Sequence, residues 1–85
     1  MTREQSIRHE CLLQLYGARP LALTPAHVAR VCKRQGDDFL ALEIEAELVF
    51  LKDQGFAEER TDAGTGESRF RLNSAGVIHC EKEIA

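Results

Sequence analysis

The sequence predicts an α+β fold of three helices, a two-stranded β-hairpin and a short closing helix. Three observations carry this expectation. Apolar residues recur at helical spacing up to Gln54 and at a period of two after Gly55. Helix starts are written at Thr2 and at Thr24-Pro25, and glycines stand where helices should stop, at Gly17, Gly36 and Gly55. A polar, glycine-bearing turn, Asp62-Ala63-Gly64-Thr65-Gly66, separates two alternating segments.

Thr2 and Gln5 have the spacing of a capping box, in which each side chain satisfies a backbone amide near the other. Ile7, Cys11, Leu12 and Leu15 then form one apolar face, so the first helix is expected from about residue 3 to Tyr16, stopping at Gly17. Arg19-Pro20 reads as a connector, because the residue before proline is pushed from helical geometry. A short extended piece, Leu21-Ala22-Leu23, follows. Thr24 caps the second helix and Pro25 fits its first position, where the missing amide had no partner anyway. That helix carries Val28, Val31 and Cys32 inward and ends at Gly36. Asp37-Asp38 are expected to open the third helix, where the backbone dipole favours negative charge. It spans about Phe39 to Gln54 and turns Ile44, Leu48 and Leu51 inward. The strands are Phe56–Thr61 and Glu67–Leu72. Asn73-Ser74 cap a last helix carrying Val77, Ile78 and Ile84. The expected core joins Leu12, Leu15, Val28, Ile44, Leu48, Leu51, Phe56, Phe70 and Leu72.

At 85 residues and 9.5 kDa the chain is read as one domain, residues 1–85, with a core too small for a deep catalytic pocket. No apolar run approaches the ~20 residues of a membrane span, and the first residues lack the build of a signal peptide, so a cytoplasmic location is expected. Cys11, Cys32 and Cys80 are odd in number and unpaired in spacing, which suits buried thiols in a reducing compartment. With His9, His27 and His79 they form no pattern of paired zinc ligands, so no metal is expected. No nucleophile motif, zinc-protease motif or phosphate-binding glycine loop is present. Glu43, Glu45 and Glu47 sit two apart on a helix and point in different directions, so they converge on no ion or substrate. The expectation is a non-enzymatic chain without cofactor or small-molecule substrate.

This element order is that of a winged helix-turn-helix. Leu48-Val49-Phe50-Leu51-Lys52-Asp53-Gln54-Gly55-Phe56 resembles a third helix entering the first wing strand. Arg69-Phe70-Arg71-Leu72-Asn73-Ser74-Ala75-Gly76 resembles a second wing strand entering the last helix. Both resemble many bacterial winged-helix regulators. Together with the Leu12-Leu13 helix and the Leu23-Thr24-Pro25 start, the chain is similar to small winged-helix proteins from the early regions of Mu-like transposing bacteriophages. The resemblance covers nearly the whole chain and consists of apolar spacings and glycines, so it is specific for fold and poor for activity. It implies a regulatory or accessory protein associated with double-stranded DNA. From Val28 to Gly55 the chain is several residues longer than a compact helix-turn-helix, which argues against a standard tight turn between the second and third helices.

Charge does not follow that implication directly. Residues 1–36 carry net +4, residues 37–54 net −5, and residues 55–73 and 74–85 net −1 each, for −3 in total. Five excess negative charges around the third helix oppose its entry into a groove walled by phosphates. Two basic surfaces escape the objection. Arg30, Lys33 and Arg34 lie on the second helix, with Arg3, Arg8 and Arg19 as possible neighbours. If Asp62 faces Glu67, Arg60 pairs with Arg69 and Glu58 with Arg71, and one wing face presents Arg60, Arg69 and Arg71 beside Glu58. That face is open to two readings, a contact for DNA backbone or a solvated ribbon of mixed charge. The third helix carries a second signal: Leu42, Ala46, Val49 and Phe50 cluster opposite its core face. Rimmed by Glu43, Glu45 and Asp53, they have the make-up of a protein interface anchored by Phe50, as in a homodimer or a complex with another protein. The alternative is that another element covers them within the monomer.

Overall fold

Helix α1 (Arg3–Ala18) begins on the expected capping box: the Gln5 amide donates to Thr2 Oγ1 at 3.1 Å and the Thr2 amide to Gln5 Oε1 at 2.8 Å. It runs past Gly17 and ends only at Arg19, which is extended (φ −52°, ψ 142°) ahead of Pro20. The proline, and not the glycine, sets this boundary. The computed structural model describes residues 1–83, so the expectation for Ile84 lies outside the described residues.

Helix α2 (Pro25–Arg34) is capped by Thr24, whose hydroxyl accepts from the His27 amide at 3.1 Å. It stops two residues short of Gly36. Gly36 takes the left-handed conformation (φ 93°), which lets its amide reach the Lys33 carbonyl and the Asp37 amide reach the Cys32 carbonyl. Asp37 is therefore spent closing α2 and does not open the next helix. Helix α3 (Ala41–Asp53) begins later than expected, with Leu40 at its cap position and Glu43 accepting from the Leu40 amide at 3.1 Å. Glu43, not Asp37 or Asp38, supplies negative charge to the first turn. The connection between the two helices, 35–40, is thus six residues long and not a tight turn. Gly55 (φ 85°) ends α3 as Gly36 ends α2, with the Phe56 amide bonded to the Leu51 carbonyl at 3.0 Å.

Strands β1 (Ala57–Thr61) and β2 (Ser68–Leu72) pair antiparallel in the expected register, with Arg60 opposite Arg69 and Glu58 opposite Arg71. Asp62 Oδ1 organises the turn by accepting from the Gly64 and Thr65 amides at 2.7 and 3.2 Å. The extended piece before α2 proves to be a single bridging residue: Leu23 exchanges two 2.8 Å backbone hydrogen bonds with Phe70. Helix α4 (Ser74–Glu83) follows, with Asn73 Oδ1 accepting from the Gly76 amide at 2.8 Å.

The core joins Ile7, Cys11, Leu12 and Leu15 of α1 to Val28 and Cys32 of α2, Ile44, Leu48 and Leu51 of α3, Phe70 and Leu72 of β2, and Cys80 of α4. Three sequence expectations need correction. Phe56 is only half-buried, because its ring lies on the core's edge, stacked on His79 with centroids 4.4 Å apart. Val31 is also half-buried, since Cys32 takes the inward place beside Val28. Ile78 is 51% exposed, since Gly76 and Cys80 form the buried face of α4. Gly76 lets α4 approach so closely that an added Cβ would collide with the Phe56 carbonyl and lie 2.8 Å from a Leu72 methyl. Three helices, a wing hairpin and a C-terminal helix in this arrangement make a winged helix-turn-helix fold. Among the described residues, no helix is long and apolar enough to cross a membrane.

Candidate nucleic-acid interface

Three of the basic side chains expected near the second helix are engaged elsewhere. Arg3 reaches from α1 to α3 and donates to both carboxylate oxygens of Glu43, at 2.7 and 2.9 Å. Its Nη2 also donates to the Asp38 carbonyl at 2.9 Å, and its guanidinium lies 5.1 Å from the centre of the Phe39 ring. Arg8 pairs with Glu47 at 2.9 Å and covers the Phe50 ring at 3.9 Å. Arg19 folds back on its own helix, over Tyr16 at 3.8 Å, and donates to the Tyr16 carbonyl. These contacts commit Arg3 and Arg8 to α3 and Arg19 to its own helix. They also turn two of the glutamates of α3 toward α1, where each has a cationic partner.

The charge consequence is specific. The Arg3 guanidinium, and secondarily the Leu40 amide, hold the Glu43 carboxyl at about 2. Lys52 is taken up by Glu59 of β1 at 2.8 Å, which raises the lysine's pKa and lowers the carboxylate's. Of the acids on α3 itself, Glu45 and Asp53 have no ion-pair partner among the described residues. The negative charge that the sequence concentrates around α3 is thus divided between two faces.

The remaining cations lie on α2 and the wing. Arg30, Lys33 and Arg34 are exposed and, among the described residues, unpaired. His27, Arg30 and Arg34 follow the i, i+3, i+7 spacing of one helical stripe. Strand pairing sets Arg60, Arg69 and Arg71 on one wing face with Glu58. Within that face Arg71 is held by Glu58, at 2.8 Å from both Nε and Nη2. Arg69 lies 3.9 Å from Glu67, and Arg60 has no ion-pair partner among the described residues. Arg69 and Arg30 line one cleft with His27, Thr24 and Glu67, so the wing and the start of α2 form a single surface. The Leu23–Phe70 bridge makes that contact by tying the segment before α2 to the middle of β2. No spacing in the sequence announced it.

The apolar outer residues of α3 are not equivalent. Leu42 is 80% exposed and Ala46 is exposed, Val49 is half-buried against the core, and Phe50 is 39% exposed beneath Arg8. Leu42 lines a second cleft, with Thr24 and Ala26 of the α2 start and Glu67 and Ser68 of the wing.

Comparison with solved structures places this geometry among winged-helix proteins. The chain is similar to MepR, a transcription regulator of the Staphylococcus aureus multidrug efflux pump MepA, with a TM-score of 0.73 and 18% identity over 96% of this chain and 54% of that one. It is equally similar to S. aureus MepR in complex with DNA, at a TM-score of 0.73 and 18% identity, covering 96% of this chain and 60% of that one. SSV1 F-93 aligns at a TM-score of 0.61 and 18% identity, over 87% of this chain and 79% of that one. The chain therefore spans a little over half the length of the MepR chains it matches. No family model and no curated protein sequence matches it. At these identities the likeness defines the fold, a winged helix-turn-helix.

Proposed function

We propose that the protein is a non-enzymatic, DNA-associated regulatory or accessory protein of the phage type, contacting the duplex backbone through α2 and the wing. The observation that carries this reading is the convergence of Arg30 and Arg69, from two elements, on one cleft. Guanidinium groups donate in a fork that suits phosphate oxygens, and contacts of this kind position a protein without reading sequence. Arg34, one turn beyond Arg30, and Arg60, opposite Arg69, extend the surface in both directions. Lys33 adds charge at the end of α2. A regulator of the same fold bound to DNA supports the reading, as do the wing and helix segments similar to those of Mu-like phage proteins.

The test is a titration of the full chain with random-sequence duplex DNA at low and moderate salt, beside a mass measurement of the free protein. Binding should weaken with salt, and Arg30→Ala and Arg69→Ala should each lower the salt slope by about 1 while weakening all sequences alike. Absence of binding at low salt would remove the reading and leave protein association through the outer face of α3.

A further inference from the structure

Two adjoining clefts beside the wing differ in charge. The first is walled by Leu42 and Ala41 of α3 and by Pro25 and Ala26 of α2; its charged residues are Glu45 and Glu67, with no cation. The second is lined by His27, Arg30 and Arg69, again with Glu67. The two meet at Thr24 and Glu67, which line both. Leu42 is 80% exposed, and Glu45 has no ion-pair partner among the described residues. Arg30 is exposed and likewise unpaired, so the two opposite charges do not meet within one copy of the chain. Phe50, beneath Arg8, does not line this cleft.

An apolar cleft edged by carboxylates suits an arginine, which lays its methylene stem on hydrocarbon and its guanidinium fork on a carboxylate. A surface whose acidic, apolar half adjoins a cationic half is also self-complementary. A two-fold axis through the boundary sets each half on the other. We propose that the Leu42 cleft is a homodimer contact, in which Arg30 of a second copy lies across Leu42 and pairs with Glu45. The same contact forms in reverse at the symmetry-related cleft. The occupant is a second copy because this chain itself carries, in the adjoining cleft, the unpaired arginine that the acidic cleft lacks. The dimer uses the same arginine as the DNA-binding reading but does not depend on that reading.

The experiment measures the mass of the full chain by sedimentation at low and moderate salt. The wild-type protein should form a dimer that salt weakens, since ion pairs at an exposed rim are screened. Glu45→Arg and Arg30→Glu, both outside the core, should each be monomeric, because each sets like charges against one another. Mixed in equal amounts, the two variants should form a one-to-one dimer, in which both contacts again pair opposite charges. Damage to the fold could not produce that rescue. Arg30→Gln, which keeps much of the stem and removes the charge, should also weaken the dimer at low salt. A wild-type monomer at low salt and high concentration would overturn the proposal, as would a mixture that stays monomeric or an Arg30→Gln dimer of unchanged strength. A dimer that survives both charge reversals would overturn it too, and its loss in Phe50→Asp would move the interface along α3. Random-sequence duplex DNA added at low salt should dissolve the dimer, since Arg30 cannot hold a carboxylate and a phosphate together. A dimer intact with DNA bound through Arg30 would overturn the place of Arg30 in the contact. Absence of DNA binding would remove the DNA reading alone, with the mixing result deciding the dimer.

Discussion

Arg3 and Glu43 stand forty residues apart in sequence and meet in a two-pronged ion pair, Nε to Oε2 at 2.7 Å and Nη2 to Oε1 at 2.9 Å. The pair joins the first turn of α1 to the first turn of α3, and through the Asp38 carbonyl it also holds the connection before α3. It decides which way an acidic helix turns its charge, because a glutamate gripped by α1 is not available on the opposite face. The fork geometry of arginine suits this better than lysine would.

The Glu43 carboxyl should titrate at about 2 instead of 4.5, first because Arg3 donates to it and then because the Leu40 amide does. A depressed folded-state pKa means that the unfolded chain takes up the proton more readily. The stabilisation is therefore complete above about 4.5 and lost as pH falls through about 2. Carboxyl NMR titration should show Arg3→Ala moving Glu43 upward. An unmoved value would transfer the effect to the Leu40 amide.

Leu48 is fully buried at the centre of α3. Leu48→Ala should cost about 2–5 kcal/mol in chemical denaturation, a large share of the stability of a domain this small. Phe50→Asp, half-exposed beneath Arg8, should leave Ile44, Leu48 and Leu51 packed and the melting transition cooperative. Loss of folding in that variant would assign Phe50 to the core.

Alanine is ordinarily favoured over glycine in a helix by about 1 kcal/mol. At Gly76 the sign should reverse, because the new Cβ meets the Phe56 carbonyl, a backbone atom that yields less readily than the tip of a side chain. Forced overpacking of this kind costs about 1–3 kcal/mol or more. Gly76→Ala should lower the thermal midpoint, and a raised midpoint would mean that α4 has room for a methyl group beside the Phe56 carbonyl.

On the wing, Glu58 occupies Arg71 at 2.8 Å. Glu58→Gln should release that guanidinium and strengthen DNA binding at low salt, with a steeper salt dependence, if the wing contacts phosphates. An unchanged affinity would show that Arg71 faces away from the duplex.

Much of the fold was legible in local chemistry. The Thr2 and Thr24 caps, the reversals at Gly36 and Gly55, and the hairpin register from Asp62 to Glu67 each depend on residues within a few positions of one another, where short-range rules operate. Composition and spacing likewise determined which faces of α1 and α3 turn inward. Helix boundaries near Gly17 and Asp37 depart from the local signal because a neighbour outweighs it: Pro20 in one case, closure of α2 in the other.

The sequence by itself determined the element order, most of the core and the cations available to a candidate site. Tertiary structure alone decided how those cations are spent. Packing of α1 across α3 assigned Arg3 and Arg8 to glutamates, while the Leu23–Phe70 bridge brought Arg69 beside Arg30. The physical reason is range. Caps, turns and periodicity act over a single turn or hairpin, whereas the partner of a long charged side chain is whichever opposite charge the assembled core places within its reach.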